Sequence, residues 1–143
     1  MDDLVRWLRA QLDEDERIAQ AASWCDDAAA WRAAPSKYGT QTRPKEPRWY
    51  IEDSLEDGVI TTVDPRASDD EGVAVHIAEH DPARVLREVE AGRRLIRAHA
   101  KWCEGRCEAK YPEGGCDAAH YWNLKVRAEV YADRPGYHEE WRP

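Results

Sequence analysis

Cys103, Cys107, Cys116 and His120 place three thiols and an imidazole in one short stretch of the chain, spaced Cys-x3-Cys-x8-Cys-x3-His. No other pattern in the sequence limits the fold as tightly, because one ion held by all four would tie two neighbouring segments together. Zinc prefers thiolate and imidazole donors in a closed tetrahedron, usually offered as two close pairs. Both pairs here are spaced i,i+4. On helices that spacing puts each pair on one face, so Cys103 and Cys107 read as the end of one helix, with Cys116 and His120 opening the next. Between them, Tyr111-Pro112-Glu113-Gly114-Gly115 is strongly turn-forming, since proline presets one backbone angle and glycine tolerates positive ones. The expectation is a structural zinc site. Its alternatives are reduced thiols without a metal, and a disulfide.

The opening of the chain weighs against disulfides. Met1 is followed by Asp2-Asp3 and an amphipathic run, with no basic region leading into an apolar one, so the expected compartment is the reducing cytoplasm. No uninterrupted apolar segment approaches bilayer length, which points away from the membrane. Cys25, beside Trp24 and far from the other thiols, reads as a small buried hydrophobe.

A chain of 143 residues is the size of one ordinary domain, and 1–143 is read as a single one. The formal net charge of -8 and the pI near 5.1 oppose general nucleic-acid binding, which needs clustered cations to displace counterions. The acidic runs Asp13-Glu14-Asp15-Glu16, Glu52-Asp53 with Glu56-Asp57, and Asp69-Asp70-Glu71 would allow mimicry of DNA toward a basic partner. Such runs are more often solvated faces that keep a protein dispersed. Seven tryptophans with no phenylalanine, and arginine far in excess of lysine, read as coding bias rather than function.

From Asp2 or Asp3 to about Arg32 the chain is rich in alanine, leucine and alternating charge, with no proline or glycine, and predicts one long helix. Leu4, Leu8, Leu12, Ile18, Ala22 and Cys25, with Trp7 nearby, form its apolar stripe, read as core. Ala34-Pro35 ends it, and Ser36 to Pro47 reads as an exposed loop, the best candidate for a binding segment. Two β-rich runs, Arg48 to Glu52 and Val59 to Val63, flank a turn at Ser54 to Gly58 and predict a hairpin. Alternation of Val73, Val75 and Ile77 suggests a third strand. Asp81 fits an N-cap and Pro82 the first helical position of a helix reaching about Cys103. Glu88 and Glu90 stand ready to support it through Arg93, Arg94 and Arg97. A further helix runs from Asp117 to about Tyr131, and Asp133-Arg134-Pro135-Gly136 breaks it before a short tail. There Tyr137 and Trp141, i,i+4, are read as packing back on the core rather than anchoring a partner. The fold class is therefore α+β: a long N-terminal helix, a small antiparallel sheet, and two further helices joined by the Cys/His turn.

One motif offers catalysis. His76-Ile77-Ala78-Glu79-His80 matches the H-x-x-E-H pattern of inverted zinc peptidases, in which two histidines bind zinc and the glutamate is the general base. That chemistry needs a helix, whereas Val73 to Ile77 reads as strand and Asp81-Pro82 as a new helix start. The sequence has no phosphate-binding loop, no G-x-G-x-x-G and no G-x-S-x-G. Cys103 or Cys107 beside His99 or His120 would be needed for a thiol nucleophile, and metal ligation competes for the same side chains.

The run HIAEHDPARVLREVEAGRR from His76 to Arg94, the terminal YADRPGYHEEWRP from Tyr131 to Pro143, and the opening Asp3-Leu4-Val5-Arg6-Trp7-Leu8 with Asp13-Glu14-Asp15-Glu16 carry a resemblance. On them the chain resembles a family of small uncharacterised proteins of high-GC Gram-positive bacteria and their phages, catalogued as a domain of unknown function. The resemblance spans most of the chain and implies no activity. It implies tolerance of basic residues at the position of Glu79, and a cysteine-containing segment where Cys103 to Cys116 fall. His99 is the alternative to His120 as fourth donor. Together these readings point to a non-enzymatic accessory or interaction protein whose partner is another protein, stabilised by zinc. The alternative is a small zinc-dependent hydrolase using His76, Glu79 and His80.

Overall fold

In the computed structural model the described residues are 3–36, 48–55, 59–63, 70–103 and 119–143. Their order is helix α1 (Asp3–Ala21), a 3-10 turn (Asp26–Ala28), strands β1 (Trp31–Pro35), β2 (Trp49–Asp53) and β3 (Val59–Val63), helices α2 (Asp70–Glu79), α3 (Pro82–Cys103) and α4 (Ala119–Glu129), and a 3-10 turn at Glu139–Trp141. This is the expected α+β class, with a long N-terminal helix and a small antiparallel sheet. The chain forms two compact units, one of Arg17–Arg87 and one of Met1–Glu16 with Glu88–Pro143.

The first unit is built on the sheet, ordered β1-β2-β3 with both pairings antiparallel. The hairpin of β2 and β3 forms as its residues predict. The third strand does not come from Val73 to Ile77, which are helical, but from Trp31–Pro35, where the first helix is expected to reach about Arg32 and break at Ala34-Pro35. α1 stops at Ala21 because Ser23, Cys25, Asp26 and Asp27 are poor helix formers with other bonds to make. The Ser23 hydroxyl donates back to the Ala19 carbonyl at 3.3 Å, and the Trp24 indole donates to the Asp53 carboxylate at 3.2 Å. Beyond them Arg32 lies opposite Glu52 in the register and pairs with it at 3.0 Å.

α2 lays Ala74 and Ala78 against the sheet, where Ile51 and Val63 are buried and Trp31, Ala33, Trp49, Ile60 and Ile77 pack around them. A register shift after Ile51 leaves Ile60 as the extra residue of β3. Val73 and Val75, the core-facing positions of a strand, are instead exposed. The run misleads because its alanines are apolar too, so both periods fit it; the small side chains at i,i+4 decide for a helix lying close on a sheet. Asp81 caps α3 as predicted. Its carboxylate accepts the Arg84 backbone N–H at 2.7 Å and, through the other oxygen, the Trp31 N–H at 2.9 Å.

In the second unit Leu4, Leu8 and Leu12 are fully buried, as the predicted stripe requires. The end of α1 from Arg17 onward belongs to the first unit, and there Ala19 is buried while Ile18 is 50% exposed, so Ile18 leaves the expected core. Gly92 of α3 sits where a Cβ would lie 2.8 Å from Leu12 Cδ2, so any larger residue there would have to displace the leucine side chain. Arg93 holds Glu16 through bonds of 2.7 and 3.0 Å and Asp13 at 2.8 Å. The expected support within α3 comes instead from Glu90, bonded by Arg97 at 2.6 Å and Arg94 at 3.3 Å. The tail packs back, as predicted. Trp141 is buried, and the Trp7 ring lies 5.3 Å from that of Trp141 and 5.7 Å from that of Tyr137. The Trp7 indole donates to the Pro135 carbonyl at 3.0 Å. Gly136, with φ of 84°, passes under that indole, where only glycine combines the backbone angle with the space.

The acidic runs are less solvated than their composition suggests. Asp53 is buried, accepting the Leu55 N–H at 3.0 Å besides the Trp24 indole. Asp15 accepts the Tyr131 phenol at 2.7 Å and Arg134 at 2.5 Å. The exposed loop read at Ser36 to Pro47 lies outside the described residues from 37 onward, as do Glu56 to Gly58; Ser36 itself is buried and its N–H donates to the Arg48 carbonyl at 2.7 Å.

Candidate functional site

Of the residues expected to hold zinc, Cys103 is the last residue of α3 and His120 the second of α4, where it is half-buried. Cys107 and Cys116 lie outside the described residues, with the turn between them. Of each expected i,i+4 pair only one member, Cys103 or His120, therefore falls within a described helix. His99, the alternative fourth donor, stands one turn before Cys103 in α3. It is buried, with its ring 5.8 Å from that of Tyr121. The donor set itself, thiolates with one imidazole, is the chemistry zinc takes in structural sites.

The catalytic motif lies where the sequence reading did not put it. His76, Glu79 and the residues between are helical, and His80 follows in the turn that ends α2. The objection that this segment is a strand is therefore overturned. The rings of His76 and His80 lie 4.3 Å apart, tilted by 40°. His80 Nδ1 bonds the His76 carbonyl at 2.8 Å, and the His80 backbone N–H bonds the Ile77 carbonyl at 3.2 Å. Arg84 donates to the Glu79 carbonyl at 3.1 Å, so the last carbonyls of α2 are capped by side chains and backbone together. His76, Glu79 and His80 are all exposed. Among the described residues no group of three or more His, Cys, Asp and Glu side chains is placed to hold a metal ion.

A third feature was missed by sequence reasoning. α4 buries Tyr121, Leu124 and Ala128 on one side, yet Trp122, Val126 and Val130 are 55%, 45% and 64% exposed. These three are spaced i,i+4,i+8 and form one apolar stripe on the helix and the turn that follows it. The signal was present in the sequence, because the segment carries apolar residues on two faces where a helix packed on one side needs only one.

Tyr131 has its phenol pushed up to about 12, by burial first and by its hydrogen bond to Asp15 second. Glu16 is held below the ordinary carboxylate value by its hydrogen bonds from Arg93, and Glu90 by those from Arg97 and Arg94. No described helix is long and apolar enough to cross a membrane.

Comparison with known proteins adds one match. The model of a family described as of unknown function, DUF6221, covers residues 1–143. No curated protein and no solved structure matches the chain.

Proposed function

The chain belongs to that family of unknown function, and from this premise we propose that it is a non-enzymatic accessory protein that docks on another protein. The observation that carries the reading is the exposed stripe of Trp122, Val126 and Val130. Tryptophan is the side chain most often found at the energetic centre of interfaces, and an apolar helix stripe is the form that groove-binding helices take. A partner with an apolar groove and a basic rim fits best. Glu129 and Asp133 are exposed beside the stripe, and a net charge of -8 disfavours a second copy of the same chain.

Within this reading Cys103, Cys107, Cys116 and His120 hold a structural zinc, with His99 the alternative to His120. The ion would join the C-terminal end of α3 to the start of α4 and so hold the stripe-bearing helix. Its thiolates need a reducing compartment, which the cytoplasm supplies. Hydrolysis at His76, Glu79 and His80 is the lesser reading. The helical placement of His76 and Glu79, with His80 in the turn that follows, favours it, but all three sit open to water, where a catalytic base and metal are ordinarily set in a cleft.

The test is site-specific photo-crosslinking in the producing cell, with a photoreactive residue at position 122 or 126 and, as control, at the exposed Glu140. One discrete adduct at 122 and 126, absent at 140, is the expected result. An adduct of twice the chain's mass, equal labelling at all three sites, or none would overturn the docking proposal. Elemental analysis of untagged protein tests the zinc separately: near one ion per chain is expected, lost in Cys107→Ser.

A further inference from the structure

The geometry points to a second, independent cation site: His76 and His80 form a chelating pair for a divalent first-row transition metal at the C-terminal end of α2. The pair meets the first requirement of chelation, since spacing of i,i+4 on a helix stacks the two rings, here 4.3 Å apart. The second requirement is a nitrogen lone pair facing the ion, which every neutral imidazole carries on one nitrogen and which the exposed His76 ring can turn toward it. For His80 the structure assigns it. A carbonyl oxygen can only accept, so the 2.8 Å bond to the His76 carbonyl puts the proton on Nδ1. The neutral ring then carries its lone pair on Nε2. Metal-bound histidines are ordinarily oriented in this way, with the second ring nitrogen donating to a carbonyl or carboxylate.

The surroundings favour a cation. The negative end of the α2 dipole lies at this turn, and the chain's net charge of -8 raises the local concentration of cations. Both imidazoles are exposed, leaving the other coordination positions to water or to a small ligand. Two imidazole donors select Cu²⁺, Ni²⁺ or Zn²⁺, and discriminate against Mg²⁺ and Ca²⁺, which take oxygen. The site shares no residue with the cysteine cluster and does not depend on it.

A helix cap alone would explain the His80 bond, and the experiment is built to separate the two. Untagged full-length protein is titrated with Cu²⁺, Ni²⁺ and, as control, Mg²⁺, in wild type, His76→Ala, His80→Asn and Cys107→Ser. Asparagine keeps a donor for the His76 carbonyl while removing the ligand nitrogen, so His80→Asn leaves the cap in place. The expected result is a loss of affinity of at least about tenfold in both histidine variants, since even outer-shell changes cost that much. Cys107→Ser retains the affinity, and trace Cu²⁺ broadens the His76 and His80 side-chain resonances before those of the exposed His138. Unchanged affinity in His80→Asn, loss in Cys107→Ser, or a long-range proton–nitrogen spectrum placing the neutral His80 proton on Nε2 would each overturn the site. Zinc content reads the cysteine proposal independently when Cys107→Ser is compared with its parent in a His76→Ala background, where the histidine pair holds no ion.

Discussion

Asp81 joins two elements through one carboxylate: one oxygen caps α3 at the Arg84 N–H and the other receives the first N–H of β1. Removing it leaves a helix end uncapped and a part-buried donor without its partner, so Asp81→Ala is expected to cost about 2 kcal/mol in chemical denaturation. A loss below about 0.5 kcal/mol would show that water replaces both bonds. Tyr131 makes a prediction at the other end of the pH scale. Its folded value of about 12 lies above the ordinary 10.0, so between these the folded chain holds a proton that the unfolded chain releases. Stability from this group is therefore complete below pH 10 and is lost as pH rises toward 12. Ultraviolet titration should show one tyrosine ionising last, and the alkaline fall in stability should be shallower in Tyr131→Phe. Asp81-Pro82 was legible in the sequence because capping is local chemistry. The burial of Asp53 was not, since its partners Trp24 and Leu55 are set by how the chain folds back.

The elements divide by the same criterion. The β2–β3 hairpin, α3 and the packing of the tail follow from signals within a few residues and stand where the sequence put them. β1 and α2 do not: the stretch up to about Arg32 reads as helix by composition, with Ala34-Pro35 as its break, yet Trp31–Pro35 becomes strand because β2 offers it a ladder, while Val73 to Ile77 reads as strand by alternation and becomes helix. The exchange is testable. In a strand Val73 and Val75 would face the core; in α2 they are exposed and Ala74 is fully buried. Val73→Lys and Val75→Lys are thus expected to change stability by less than about 0.5 kcal/mol each, and Ala74→Lys to cost more than about 3 kcal/mol. Thermal denaturation of the three variants decides it, and the reverse order would restore the strand. The same exchange changes the candidate site, because a strand would have sent His76 and His80 apart and a helix brings them together. The two apolar faces of α4 were legible in the sequence, but which of them stays uncovered was not. The residues of the stripe look like a second core face until the structure leaves them uncovered.

Across the whole molecule the acidic excess is partly bound up in ion pairs. Arg93 gathers Asp13 and Glu16, and Arg134 takes Asp15, so the most acidic run of α1 is held by arginines rather than offered to a basic partner. Acid should weaken this arrangement in a particular direction. The folded value of Glu16 lies below the ordinary 4.5, so its contribution is present above that pH and is lost as pH falls through the folded value. Arg93→Ala is expected to be less stable at neutral pH and to lose less stability on acidification, as measured by denaturant unfolding at a series of pH values; parallel curves for the two proteins would remove Glu16 from the account. The pairing of Trp7 with the tail has a consequence for how the chain is made. The indole and its acceptor on Pro135 are 128 positions apart, and the unit they belong to takes its first segment from Met1–Glu16 and the rest from Glu88 onward. During synthesis every residue of Arg17–Arg87 is available while Leu4, Leu8 and Leu12 still wait for the segment that covers them. A ribosome that stops before Pro135 therefore releases a chain in which α3 can already meet Leu12 but Trp7 has no tail to pack against.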